Sequence, residues 1–143
     1  MPSHNAILKN LDRARKVSLC SDFKRARLGC VVVIGSKVVS VGYNQLKTSP
    51  VQKEYNKYRT YRQEHIPDHI HNDTLHAEID ALNKCSYLDY DWKTAEIYIG
   101  REDRAGNSKL AKPCPACLEA IKQRGIKRIF YTTEDGYGFL GVE

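Results

Sequence analysis

Two periodicities alternate along the chain. Over residues 5–19, Ile7, Leu8, Leu11, Ala14, Val17 and Leu19 recur at helical spacing. The Val-rich stretch "LGCVVVIGSKVVSVGYN" (28–44) is interrupted only at Gly35-Ser36, which predicts a β-hairpin with a two-residue turn. Residues 45–72 are polar, contain Pro50 and Pro67, and read as a long connection with room for one helix. In "NDTLHAEIDALNKC", Leu75, Ile79 and Leu82 fall at i, i+4 and i+7 behind the N-cap residues Asp73 and Thr74, predicting a helix over about 74–85. "AEIYIG" (95–100) is a strand, and "REDRAGNSKLAK" a loop. "CPACLEAIKQR" is a helix with Pro113 before it and Gly125 after it. "IKRIFYTT" is a strand, and "EDG" turns the chain into a last strand, "YGFLGVE". The order α-β-β-α-β-α-β-β predicts a mixed sheet with helices on its faces. With no helix between the last two strands, the fifth strand of the sheet should be antiparallel.

A length of 143 residues suits one domain spanning 1–143. No repeat or low-complexity tract interrupts it. The longest apolar run, around "CVVVIG", is far too short to cross a membrane. The first residues lack the apolar core of a signal peptide, so the expected compartment is the cytoplasm. The net charge of +6 is compatible with a phosphate-bearing partner and equally with an ordinary solvated surface. The five cysteines are an odd number and do not make a simple disulfide framework. Cys20, Cys30 and Cys85 stand among apolar or helical neighbours and read as buried thiols.

Cys114 and Cys117 differ, because C-x-x-C at a helix start puts both sulfurs on one face, where the helix dipole favours thiolates. With the imidazole of His76 they make three zinc ligands and leave a fourth position for water, the pattern of a catalytic site. Glu78 does not complete that set easily. Residues two apart on a helix point about 200° from each other. It reads better as the acid/base beside the water, whose pKa zinc lowers to about 7.

The H-x-E…P-C-x-x-C spacing is the signature of zinc nucleobase deaminases, and the chain resembles the cytidine/deoxycytidylate deaminase superfamily. The resemblance runs through "RLGCVVV", "VVSVGYN", "LHAEIDAL", "EIYIG", "PCPAC" and "GIKRIFYTT". It implies an α/β, three-layer α-β-α cytidine deaminase-like fold, with a mixed five-stranded sheet and one Zn²⁺ per chain between two helix N-termini. It also implies that Asn44, at the end of the second strand, contacts the sugar or base. The backbone N–H of Ala77 would meet the base carbonyl. Asn44 is equally a common strand-end turn residue.

The resemblance pulls two ways on substrate. His at the first ligand position is typical of deoxycytidylate and polynucleotide deaminases. An antiparallel fifth strand is typical of free-nucleoside cytidine deaminases and some bacterial and fungal ones. A cytosine nucleotide or nucleoside of the CMP, dCMP or cytidine type is the expected substrate, with the cytidylate type slightly ahead. Arg25 and Arg27, in "KRARLG", either face a phosphate or sit in a solvated loop. The stretch "KEYNKYRTYR" (53–62) interleaves Tyr55, Tyr58 and Tyr61 with Lys53, Lys57, Arg59 and Arg62. It is either a stacking platform for single-stranded DNA or RNA or a helix packing its tyrosines inward. His65, His69 and His71 are either a second metal site or exposed loop histidines. Adenine instead of cytosine, and a homo-oligomer, stay open.

Overall fold

In a computed structural model of the protein, which describes residues 1–23, 26–59 and 74–142, the Val-rich stretch folds back on itself at Gly35-Ser36. Both turn residues have positive φ, 53° and 70°, the geometry that matches the twist of a two-residue hairpin. The hairpin strands are β1 (Arg27–Ile34) and β2 (Lys37–Tyr43), closed by the pair Ile34 and Lys37. Helix α1 (His4–Ser18) precedes them, capped by the Ser3 hydroxyl, which accepts from the Ala6 N–H.

The connection after β2 holds more structure than its polarity suggested. β3 (Gln45–Thr48) is followed by α2 (Pro50–Tyr55), which Ser49 caps, and by a 3-10 turn over Asn56–Arg59. β3 pairs with a two-residue strand, β4 (Thr74–Leu75), in a small second sheet. Helix α3 (Ala77–Lys84) therefore starts later than the apolar spacing predicts. Leu75 is strand, and His76 is the N-cap, with extended ψ of 156°. β5 (Ala95–Glu102) leads through an irregular loop to α4 (Pro115–Arg124). Cys114 is the N-cap of α4, and Gly125 ends it in the left-handed region at φ 95°, as Pro-before and Gly-after lead one to expect. β6 (Arg128–Thr132) and β7 (Tyr137–Gly141) finish the chain.

The main sheet has the order β2-β1-β5-β6-β7. β5 and β6 are parallel, joined through α4, and the other neighbours are antiparallel. This is the expected three-layer α-β-α fold, a mixed five-stranded sheet with an antiparallel fifth strand. Period-two alternation splits β1 between the faces. Val31 and Val33 pack with Ile7, Leu11 and Ala14 of α1. Cys30 and Val32 pack with Ile79, Leu82 and Ile121 of α3 and α4. Close approach is set by small residues. A Cβ on Gly42 would collide with Ala77 O and Ala81 N, so α3 lies directly on β2. The Ser40 hydroxyl adds a 2.7 Å bond to Ala81 O there.

Cys30 and Cys85 are buried as expected, whereas Cys20 is exposed, because it lies in the turn after α1 ends. Among the described residues no helix is long and apolar enough to cross a membrane. Arg25, Tyr61, Arg62, His65, His69 and His71 lie outside the described residues, so the readings placed on them have no structural counterpart here.

Candidate metal centre and substrate cleft

The first residues of α3 and α4 meet. His76, as N-cap, still has an extended backbone, and its ring faces α4. Nδ1 lies 3.5 Å from Cys114 Sγ and 3.3 Å from Cys117 Sγ. The three ligand atoms all fall within 4.8 Å of one another. Tetrahedral bonds of about 2.3 Å to sulfur and about 2.0 Å to nitrogen set nitrogen–sulfur separations of about 3.5 Å. The donor set, two sulfurs and one imidazole, is a zinc set, and its spacing fits the ion.

The protonation of the sulfurs points the same way. The Cys117 thiol donates to Cys114 and, with His76 acting in the same direction, holds Cys114 down at about 3 against the opposing effect of burial. Cys117 is pushed up, first by burial and then by Cys114 and Glu78. A divalent cation bound between them would favour both sulfurs as thiolates.

Glu78 sits one turn-position behind His76 and is 3% exposed. Burial pushes its carboxyl up, His76 opposes that, and Cys114 adds to the rise. Its carboxyl is close enough to Cys117 to accept from the thiol. Glu78 also lines a cleft of about 440 Å³ together with His76, Ala77, Cys114 and Asn44. The cleft has an apolar wall, Phe23, Ala26 and Leu28, and two further cations, Arg101 and Lys112.

The predicted residues distribute as follows. His76, Ala77, Glu78, Cys114 and Asn44 line one cleft, and Cys117 is buried behind them. Asn44 uses its side chain on its own scaffold. Oδ1 accepts from the Leu28 N–H at 2.9 Å, and Nδ2 donates to Ala26 O. Arg27 starts β1 opposite Glu102 of β5 and is not part of the cleft lining. The described part of the tyrosine-rich segment turns toward α4. The Tyr55 hydroxyl lies 3.2 Å from Gln123 Oε1, Gln123 Nε2 donates to the Tyr58 hydroxyl, and Lys57 pairs with Glu54 at 2.8 Å.

Three supports were not evident from sequence. Gln52 is fully buried, and its Oε1 accepts the His76 N–H at 3.0 Å. Its Nε2 donates to Asn56 Oδ1 at 2.8 Å. Asp80 Oδ2 accepts from the Tyr43 N–H and from Gln45 Nε2, both at 3.1 Å, and pairs with Lys84, locking α3 to the end of β2. The third support is the Arg101/Lys112 pair. The only sequence signal for Gln52 was its place after a Ser-Pro helix start. Nothing local links it to a histidine 24 residues away.

Known proteins are similar to this chain. ComE operon protein 2 of Bacillus subtilis (strain 168) is 27% identical over 118 residues, covering 82% of this chain and 54% of that protein. The chain thus spans about half the length of this curated relative. The dCMP deaminase of cyanophage S-TIM5, in apo form, superposes with a TM-score of 0.61 at 23% identity, covering 91% of this chain and 84% of that one. The same enzyme in complex with dCMP and dUMP gives 0.62 at 21%, covering 92% and 83%. Cytidine deaminase from Burkholderia pseudomallei gives 0.58 at 16%, covering 98% and 93%. At these identities the solved structures speak for the fold. The profile of the cytidine and deoxycytidylate deaminase zinc-binding region matches residues 4–133, nearly the whole chain, and the chain belongs to that zinc-binding family.

Proposed function

We propose that the protein is a zinc-dependent hydrolytic deaminase that converts the cytosine of a nucleotide or nucleoside to uracil and releases ammonia. The observation that carries this reading is the buried Glu78 carboxyl beside a three-donor cluster at one end of an open cleft. His76, Cys114 and Cys117 would hold one zinc ion per chain beside the cleft that His76 and Cys114 line. Zinc bound there supplies the Lewis acidity that makes water a nucleophile at neutral pH.

The chain's own residues do the rest. Glu78 takes a proton from the water that adds to C4 and returns it to the ring nitrogen. A second transfer to the amino group lets the C–N bond break, with ammonia leaving and the carbonyl forming. A carboxyl raised by burial is suited to carrying protons near neutrality. The Ala77 N–H, at the first position of α3, has no acceptor in the helical ladder, which supports a role for it as donor to the base carbonyl. Asn44 fixes the wall at Ala26–Leu28, and the second proton of its Nδ2 serves the sugar or base. The complex of the cyanophage enzyme with dCMP and dUMP supports a nucleotide substrate. All five cysteines are free, which supports a cytoplasmic setting.

An ammonia-release screen of the zinc-loaded protein tests the reading. Cytidine, deoxycytidine, CMP, dCMP, the adenine counterparts and a single-stranded oligonucleotide are compared. Release from a cytosine monomer is expected. Release from the oligonucleotide alone would move the reading to a polymer substrate, and release from none would sink it.

A further inference from the structure

We propose that Arg101 and Lys112 form an anion subsite in the cleft that takes the terminal 5′-phosphate of the substrate, so that a nucleoside monophosphate is preferred to a free nucleoside. This rests on the deaminase reading above. Among the described residues lining the cleft, Glu78 is the only acid, and it stands at the proposed reaction centre, whereas Arg101 and Lys112 add two cations. Several other cations are paired. Arg15 meets Glu102, Arg128 meets Glu96, Lys84 meets Asp80, and Lys109 meets Asp103 and Glu134. Among the described residues, Arg101 and Lys112 have no carboxylate within ion-pair distance. Two cations in a concave wall, with no such partner among the described residues, concentrate positive potential at one place.

The backbone under both is built and buried. Thr132 of β6, 3% exposed, ties the two segments together. Its Oγ1 accepts the Arg101 N–H at 3.1 Å and donates to Lys109 O at 2.7 Å. Its carbonyl accepts the Ala111 N–H at 3.0 Å, and the Lys109 N–H closes onto Arg101 O at 2.9 Å. The loop after β5 is thereby folded back so that Lys112 comes to the rim that Arg101 already occupies. Such preorganisation is of little use for a neutral ribose. A phosphate monoester carries about −1.5 to −2 at pH 7 and matches two cations, whereas a backbone diester carries a single charge. That difference favours a terminal phosphate over a polymer.

The test compares dCMP with deoxycytidine, the same base and sugar with and without the phosphate. For the wild type, kcat/KM should favour dCMP. In Arg101→Gln and in Lys112→Gln that preference should fall by about 10-fold or more each, the scale of a lost hydrogen bond to a charged group, while Arg101→Lys keeps part of it. Calorimetric titration of zinc-loaded Glu78→Gln protein with dCMP, deoxycytidine and a cytosine-containing tetranucleotide reads binding without turnover. An equal preference for dCMP and deoxycytidine, a preference unchanged in both variants, or tighter binding of the tetranucleotide than of dCMP would overturn the proposal. Absence of ammonia from every substrate, with dCMP binding that still depends on both cations, would remove the deaminase reading and leave the subsite standing. Absence of dCMP binding would overturn the subsite whatever the activity.

Discussion

The two faces of the sheet are packed by different means. On the α1 face the contacts are apolar and aromatic. Tyr98 and Phe130 stack with centroids 5.1 Å apart and an interplanar angle of 12°, under Ile7, Leu11 and Ala14. On the α3/α4 face the apolar layer is interrupted by buried polar side chains, Gln52, Glu78 and Asp80. Asp80 and Gln52 have their partners in neighbouring backbone and amides, and they fix where α3 begins. Glu78 faces the cleft. The first face supplies cohesion, and the second gives up some cohesion to hold donor atoms in place. Buried polar groups contribute little net stability unless fully satisfied, and they fix geometry when they are.

That contrast can be broken most sharply at Glu78. Glu78→Gln should lower turnover by about 10²–10⁴-fold, the usual range for a lost acid/base. Zinc content should stay near one per chain, and the melting temperature should not fall, because a buried carboxyl is replaced by a neutral isostere. A large drop in Tm would mean that Glu78 belongs to the packing. The opposite case is Phe130→Ala. It removes the ring that packs between Tyr98 and Phe139 and should cost about 3–5 kcal/mol of stability. The protein that remains folded should hold as much zinc as the wild type. Denaturant melts with metal analysis of the folded fraction check both halves.

The two faces were also unequally legible in the sequence. Strand alternation in "CVVVI", the Gly35-Ser36 turn and the Pro-before, Gly-after frame of α4 are local signals, and each has its counterpart in the structure. The candidate ligand set is legible because H-x-E and C-x-x-C each open a helix. The start of α3 was misplaced. Leu75 fits the helical period of Ile79 and Leu82 by coincidence, and a two-residue strand has no period to detect. Gln52, Asp80 and the Arg101/Lys112 rim are not legible because the contacts that place them span chain separations that no spacing rule covers. Arg27 offers only its charge as a sequence signal, and the register of β1 against β5 sets it opposite Glu102.

Gln52 sharpens the claim that polar burial fixes geometry. Gln52→Ala removes the acceptor at 3.0 Å from the His76 N–H and the amide that donates to Asn56 Oδ1 at 2.8 Å. Loss of a buried partner of this kind costs about 1–3 kcal/mol. A merely structural loss would appear in Tm alone. A positioning role requires, in addition, faster loss of zinc to a chelator under native conditions, with Cys114 and Cys117 intact. Gln52→Glu keeps the acceptor toward His76 but cannot donate to Asn56, so it should retain zinc better than Gln52→Ala while melting below the wild type. Equal zinc retention in the wild type and Gln52→Ala would confine Gln52 to packing.

The smallest effect is expected on the α1 face, from Tyr98. Burial is the main cause that pushes its hydroxyl up to about 12, against about 10 in an unfolded chain. A raised folded pKa means that the folded state holds the proton more tightly. The associated stability is therefore present in full below about pH 10 and is lost as the pH rises through about 12. Denaturation midpoints measured between pH 8 and 12 should fall along that window. Cys30, Cys85 and Cys117, on the other face, are also pushed up by burial, so the wild-type slope contains all four groups. Tyr98→Phe separates them, because it removes one titration and keeps the aromatic stack on Phe130. Its midpoint at pH 8 should lie near the wild-type value, since the bond it gives up, to Glu96 Oε1, is 3.2 Å long and Glu96 keeps Arg128 as a partner. Its decline above pH 10 should be shallower than that of the wild type. An identical decline would assign the alkaline sensitivity to the α3/α4 face, and the apolar face would then carry no titration of its own.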